Sequence, residues 1–139
     1  VFPPEHTFGV HVNENMHGIL PSLMMQRAHL REIMLNLLVN AREAAGKGGQ
    51  VTVSCQASRN HMIEFRIKDS GPGVPKDQRE QIFEAYFTTK EKGTGLGLAI
   101  VKQNTELYGG KIRMESELGK GTEFILTFPT RSLLQDAMS

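Results

Sequence analysis

The sequence predicts an α/β (α+β) fold: a two-layer sandwich in which a mixed, mostly antiparallel sheet is covered on one face by about three helices. Three observations carry this expectation. Hydrophobic periodicity changes along the chain in the order helix, two strands, helix, two strands. Both strand pairs are joined by short turn-forming segments, as hairpins are, and pairs of strands with intervening helices pack as a sheet under a helical layer. The chain has 139 residues, 39% of them hydrophobic and 22% charged, which is enough for a single domain with a real core.

Each element has its own reason. Residues 1–24 hold prolines and a short alternating piece, Phe8, Val10 and Val12, read as one strand. Over residues 28–45, Leu30, Ile33, Met34, Leu37, Leu38 and Ala41 follow the i, i+3, i+4, i+7, i+8, i+11 series of a helix. Leu35 and Val39 fall on its other side, so the helix is expected to be covered on two sides. The cluster Gly46-Lys47-Gly48-Gly49 ends it as a C-terminal glycine cap would. Strands are expected at 50–57 and 61–68, joined at Ser58-Arg59-Asn60. In the second, Ile63, Phe65 and Ile67 alternate with Glu64, Arg66 and Lys68, a half-buried antiparallel signature. Cys55 alternates with Val51 and Val53 and reads as a core thiol.

Asp69-Ser70-Gly71-Pro72-Gly73 is a loop by its turn chemistry. Residues 76–86 are expected to form a short helix, 87–94 a flexible connection, and 96–108 a helix closed by Gly109-Gly110. A second hairpin is expected at 111–117 and 122–128, turning at Leu118-Gly119-Lys120-Gly121. Residues 131–139 read as a tail, either a frayed helix or disordered, so the domain is placed at 1–130.

Bulk properties exclude several function classes. A formal net charge of +1 leaves no electrostatic footprint for nucleic acid. The five histidines show no metal-binding spacing. The sequence contains neither an apolar run of about 20 residues nor a signal peptide, and its one cysteine excludes an internal disulfide. These features set the expectation of a cytoplasmic domain without direct membrane contact, although a parent protein could be membrane-anchored. Beginning at Val1 rather than Met, the chain reads as a piece of something longer.

Chemistry concentrates in five ordered segments. Asn36 and Asn40 stand one helical turn apart on one face of the 28–45 helix, with Glu32 and Glu43 nearby. Asparagine is a poor helix former, so the pair reads either as interhelical hydrogen bonding or as neutral oxygen ligands for Mg²⁺. Asp69 closes a strand with a carboxylate, and Gly71 and Gly73 beside it let a ligand approach the backbone. Ile82-Phe83-Glu84-Ala85-Tyr86-Phe87-Thr88-Thr89-Lys90 follows. Next come Gly93-Thr94-Gly95-Leu96-Gly97-Leu98, three alternating glycines running into a helix N-terminus, where inward N–H groups cradle anionic oxygens. Gly119-Lys120-Gly121-Thr122 is the last.

Together these segments resemble the N, G1, F, G2 and G3 boxes of the ATP-binding catalytic domain of bacterial sensor histidine kinases. They span residues from about 30 to 128. Phe87-Thr88-Thr89-Lys90 looks like the nitrogen-regulation branch of that family. The resemblance implies the Bergerat ATP-binding fold, ATP and Mg²⁺ as cofactors, and a protein-histidine phosphotransferase activity. It implies that Asn40 ligands Mg²⁺, with Asn36 supporting the phosphate site and Glu43 also among the cofactor-binding residues. Asp69 would accept a hydrogen bond from the adenine amino group, with Gly71 and Gly73 lining the base pocket and Thr122 bonding nearby through its hydroxyl or a water. Gly93, Thr94, Gly95, Leu96, Gly97 and Leu98 would wrap the phosphates. Phe83 and Phe87 would anchor a lid containing Thr88 and Thr89, or serve as core aromatics. Lys90 would reach a terminal phosphate, or stand solvated.

The pattern departs from the family in two places. Gln26-Arg27 stands where an acidic residue is often found before the N box, and no His-Glu-Leu-Arg-x-Pro phosphoacceptor motif is present. The receiving histidine is therefore expected on a dimerisation and phosphotransfer domain, in cis or in trans, with a response regulator downstream. By the same resemblance the isolated domain would be monomeric and the full-length protein a homodimer.

Related ATPases carry a glutamate one turn before the Mg²⁺-binding asparagine to orient the attacking water. Here that position is Asn36, which cannot take a proton from water, so the arrangement favours transfer over hydrolysis. An anti-sigma-type serine kinase and a non-catalytic nucleotide-binding module remain as alternatives.

Overall fold

The computed structural model describes residues 11–17, 23–85, 87 and 97–130. Five strands, β1 (His11–His17), β2 (Gln50–Ser58), β3 (Met62–Asp69), β4 (Lys111–Glu117) and β5 (Gly121–Pro129), form one sheet. Their order is β1-β2-β3-β5-β4. The two hairpins make β2–β3 and β4–β5 antiparallel, and β3–β5 is antiparallel as well. β1 runs parallel to β2, from His11 opposite Gln50 to His17 opposite Gln56. Parallel neighbours need a crossover, and helix α1 (Arg27–Ala45) supplies it. A second helix, α2 (Gly97–Leu107), packs beside α1 on the same sheet face.

The apolar stripe of α1 is where the periodicity put it. Ile33, Leu37 and Ala41 are fully buried, with Met34 and Leu38 packed at the margin. They meet Val51, Val53 and Cys55 of β2, Ile63 and Ile67 of β3, Phe124, Leu126 and Phe128 of β5, and Val101 of α2 in one core. Burial pushes the Cys55 thiol up to about 11, so it is an inert core group. Gly46 ends α1 at φ 70°, its N–H donating to the Arg42 carbonyl. His29 Nδ1 and the Tyr108 hydroxyl, hydrogen-bonded with their rings 5.5 Å apart, tie α1 to the end of α2.

The one strand expected within residues 1–24 is β1; of its alternating piece, Phe8 and Val10 lie outside the described residues. Two expectations are corrected. Of the helix expected at 76–86, the described residues 76–85 form no α-helix. Lys76–Gln78 and Gln81–Phe83 are separate 3₁₀ turns, the first entered from Pro75 and neither longer than one turn. Leu35 and Val39 are not covered on a second side; they are 48% and 40% exposed, because the sheet and α2 occupy only one broad face of α1. The expected connection 87–94 and the tail 131–139 fall almost wholly outside the described residues.

The sheet face away from the helices is polar and cross-linked. Glu64, 7% exposed, accepts from Gln56 Nε2 and from Arg66 Nε, both at 3.0 Å, while Arg66 Nη1 reaches Glu123 at 3.0 Å. Ile125, only 1% exposed, sits in register between Arg66 and Arg113, whose aliphatic stems can cover it. Burial raises the affinity of Glu64 for its proton, but the bonds from Gln56 and Arg66 outweigh it and hold the carboxyl below its ordinary 4.5. A carboxyl lowered by folding contributes stability above that ordinary value and loses the contribution as pH falls through the folded-state value. Arg66→Ala is therefore expected to cost about 1 kcal/mol at neutral pH. It should also flatten the acid-side loss of stability, as read from urea midpoints on both sides of 4.5.

Candidate nucleotide-binding site

The candidate side chains gather along the edge where α1 crosses the ends of β3 and β5. Asp69 is the last residue of β3 and is 2% exposed; its register partner on β5, Thr122, is 5% exposed. Both lie on the helix-facing side of the sheet, which is otherwise apolar at these strands. A carboxylate in such a place needs donors. One is the N–H of Gly71, which reaches Asp69 Oδ1 at 2.8 Å as the chain turns back after the strand. Ser70 closes the same turn, exchanging bonds with Gln50: its N–H donates to the Gln50 carbonyl and its Oγ accepts from the Gln50 N–H.

The loop after Asp69 fits only because its glycines lack side chains. Gly73 has φ +81°, and a Cβ there would lie 2.5 Å from the Glu117 carbonyl oxygen. Pro72 accepts a hydrogen bond from the Gly119 N–H at 2.8 Å, so the loop is strapped to the β4–β5 turn. Gly121 has φ +102°, and a Cβ there would stand 1.9 Å from the Asp69 carbonyl oxygen. Backbone pressed on backbone thus forms this end of the site, and it holds Asp69 and Thr122 side by side.

α1 connects this end to the other. A Cβ on Gly71 would approach the Ala44 carbonyl oxygen to 2.6 Å. Two turns earlier, Asn36 Oδ1 lies 3.4 Å from where a Cβ on Gly97, the first residue of α2, would stand. Asn36 Nδ2 donates to the Glu32 carbonyl at 3.0 Å, which leaves the amide oxygen turned toward the start of α2. The two contacts are eight residues apart, roughly 12 Å along a helix axis. Asn40 lies midway between them and Glu43 one residue before Ala44, both with interactions of their own.

The structure thus brings together Asn36, Asn40, Asp69, Gly71, Gly73, Gly97 and Thr122 along one edge. Leu98 packs against the core, and so does Phe87. Phe83 is edge-on to Phe124 with ring centroids 6.0 Å apart, as a core aromatic would be. Thr88, Thr89, Lys90, Gly93, Thr94, Gly95 and Leu96 lie outside the described residues. Sequence reasoning missed Ser116. Its Oγ receives the Val74 N–H at 2.8 Å and lies 3.0 Å from both the Gly121 carbonyl oxygen and Thr122 Oγ1. The hairpin register, which sets Ser116 opposite Thr122, was the available signal.

Residues 25–132 match the family described as histidine kinase-, DNA gyrase B-, and HSP90-like ATPase. The chain belongs to that family. Its sheet and helix layer are the Bergerat fold of that family's histidine kinase catalytic domains. The chain is 43% identical over 107 residues to the sensor histidine kinase ZraS of Salmonella typhi, covering 77% of this chain and 23% of that protein. It superposes on the Mycobacterial sensor histidine kinase MprB with TM-score 0.82 at 29% identity, covering 91% of this chain and 86% of the other. A crystal structure of full-length ShkA in complex with AMPPNP gives TM-score 0.81 at 35% identity, over 90% of this chain and 26% of that one. The chain spans about a quarter of the length of the curated relatives it matches. No helix among the described residues is long and apolar enough to cross a membrane.

Proposed function

We propose that this domain binds Mg-ATP and donates the γ-phosphate to a histidine on a dimerisation and phosphotransfer domain, as the catalytic part of a two-component sensor kinase. A receiver domain of a response regulator is the downstream acceptor. The observation that carries the reading is Asn36 against Gly97. The glycine-rich run into α2 supports phosphates lying at the start of that helix, and the residue turned toward that point is an amide whose N–H₂ is already bonded to backbone. An amide can orient and neutralise but cannot act as a general base on water. Positioning and electrostatics then act on a phosphoryl group whose nucleophile comes from elsewhere.

At the opposite end, the Asp69 carboxylate beside Thr122 suits the amino edge of adenine. The two contacts of α1 suit a nucleotide lying along the helix between them. For Mg²⁺, the donor chemistry fits. Among the described residues no group of three or more His, Cys, Asp or Glu converges on one point. A hard cation here would draw on the Asn40 carboxamide oxygen, phosphate and water, the ligand types it prefers. Its contribution would be to neutralise phosphate charge. Lys90 and the glycines at 93, 95 and 97 would complete the phosphate end.

The test is a transfer assay. The chain, [γ-³²P]ATP and Mg²⁺ are mixed with a separately purified histidine phosphotransfer domain. Acid-labile, base-stable label on that domain is the expected result, with little free phosphate released by the chain alone. Failure to bind ATP, or acid-stable phosphoserine on a supplied protein, would overturn the reading.

A further inference from the structure

We propose that Ser116 is a positioning residue for base selection: it fixes the proton of the Thr122 hydroxyl so that Thr122 offers only an acceptor to the base. The inference rests on the ATP-site reading above. It follows from counting donors and acceptors around one oxygen. A serine hydroxyl has one proton to give and two lone pairs to receive with. Ser116 Oγ has three neighbours: the Val74 N–H at 2.8 Å, the Gly121 carbonyl oxygen at 3.0 Å and Thr122 Oγ1 at 3.0 Å. The N–H can only donate and the carbonyl can only accept. With all three contacts made as hydrogen bonds, the single Ser116 proton goes to Gly121 and the remaining lone pair receives the proton of Thr122.

Nothing is left over on Ser116, and Thr122 has no proton left for a ligand. Its register partner is Asp69, whose carboxylate also accepts, taking the Gly71 N–H at 2.8 Å. Two acceptor groups thus stand side by side. Such an edge suits the amino group of adenine, directly or through a water that donates to Thr122. It repels a 6-oxo purine, whose oxygen would face acceptors only. Ser116 need not touch the nucleotide for this. It lies one strand farther out, on β4, and also ties Val74, next after the Asp69–Gly73 loop, to the hairpin.

Measuring the ratio of dissociation constants for ITP and ATP isolates this role from general loosening. In Ser116→Ala the Val74 N–H and Gly121 carbonyl lose a partner, which weakens both nucleotides alike and cancels in the ratio. The Thr122 proton is also freed to meet a 6-oxo group, which does not cancel. The ITP/ATP ratio, measured calorimetrically with the full chain, is expected to fall about tenfold. Ser116→Cys, nearly isosteric and a weak hydrogen-bonding partner, reads the same ratio should the alanine variant not fold. Ser116→Thr, which keeps the hydroxyl, is expected to retain the wild-type ratio. A wild-type ratio in Ser116→Ala or Ser116→Cys overturns the proposal, whether or not both affinities drop. Failure of the wild-type chain to bind ATP at all would instead overturn the ATP-site reading itself.

Discussion

Asp69→Asn is expected to weaken ATP binding about 100-fold, the size of a lost bond to a charged group plus a mismatched donor left in its place. The substitution is nearly isosteric, so the amide oxygen can still receive the Gly71 N–H that now reaches Asp69 Oδ1 at 2.8 Å. What changes is the other atom, which becomes an N–H₂ donor where the proposed site needs an acceptor for the adenine amino group. With Asp69 only 2% exposed, water cannot easily satisfy either the amide or the adenine amino group once they oppose each other. Calorimetric titration reads the affinity. A thermal melt of the nucleotide-free variant controls for folding, since the same buried position anchors the end of β3. Wild-type affinity in a folded variant would remove Asp69 from the base site.

Asn40→Ala should act at the other end, reducing phosphotransfer to a separate histidine domain by about 1,000-fold, as loss of a major electrostatic contact in phosphoryl transfer does. On the proposed reading, base recognition depends on Asp69, Gly71 and Thr122 and not on the Asn40 side chain. Adenosine binding should therefore remain near wild type while the Mg²⁺-dependent gain in ATP affinity is lost. The two readouts separate a phosphate-end role from general damage. Alanine is also the better helix former, so loss of α1 would not be the cause. Full transfer activity in Asn40→Ala would exclude the cation role.

Much of this could be read in the residues because the relevant signals are local. The stripe Ile33, Leu37 and Ala41 is a property of one helix, and the Asp69 and Thr122 motifs sit at strand ends that alternation locates within a residue or so. What could not be read depends on partners distant in sequence. That β1 runs parallel to β2 depends on the crossover through α1. The exposure of Leu35 and Val39 follows from how much of α1 the sheet and α2 leave uncovered. Residues 76–86 carry helix-compatible composition, yet Pro75 and the tertiary path of the loop divide them into two single turns. Ser116 shows the same limit at the site: a lone serine in an amphipathic strand means little until the hairpin register sets it against Thr122.

The two contacts that α1 makes, Asn36 with the start of α2 and Ala44 with Gly71, have an evolutionary consequence. A helix changes length only in whole residues, and each added residue also rotates everything beyond it by about 100°. One insertion between Asn36 and Ala44 would swing the far contact off the sheet edge altogether. The distance between the two ends of the site therefore cannot drift by small steps. Variation is confined to exchanging side chains at fixed stations, or to the loops on either side, where length and direction are not locked together.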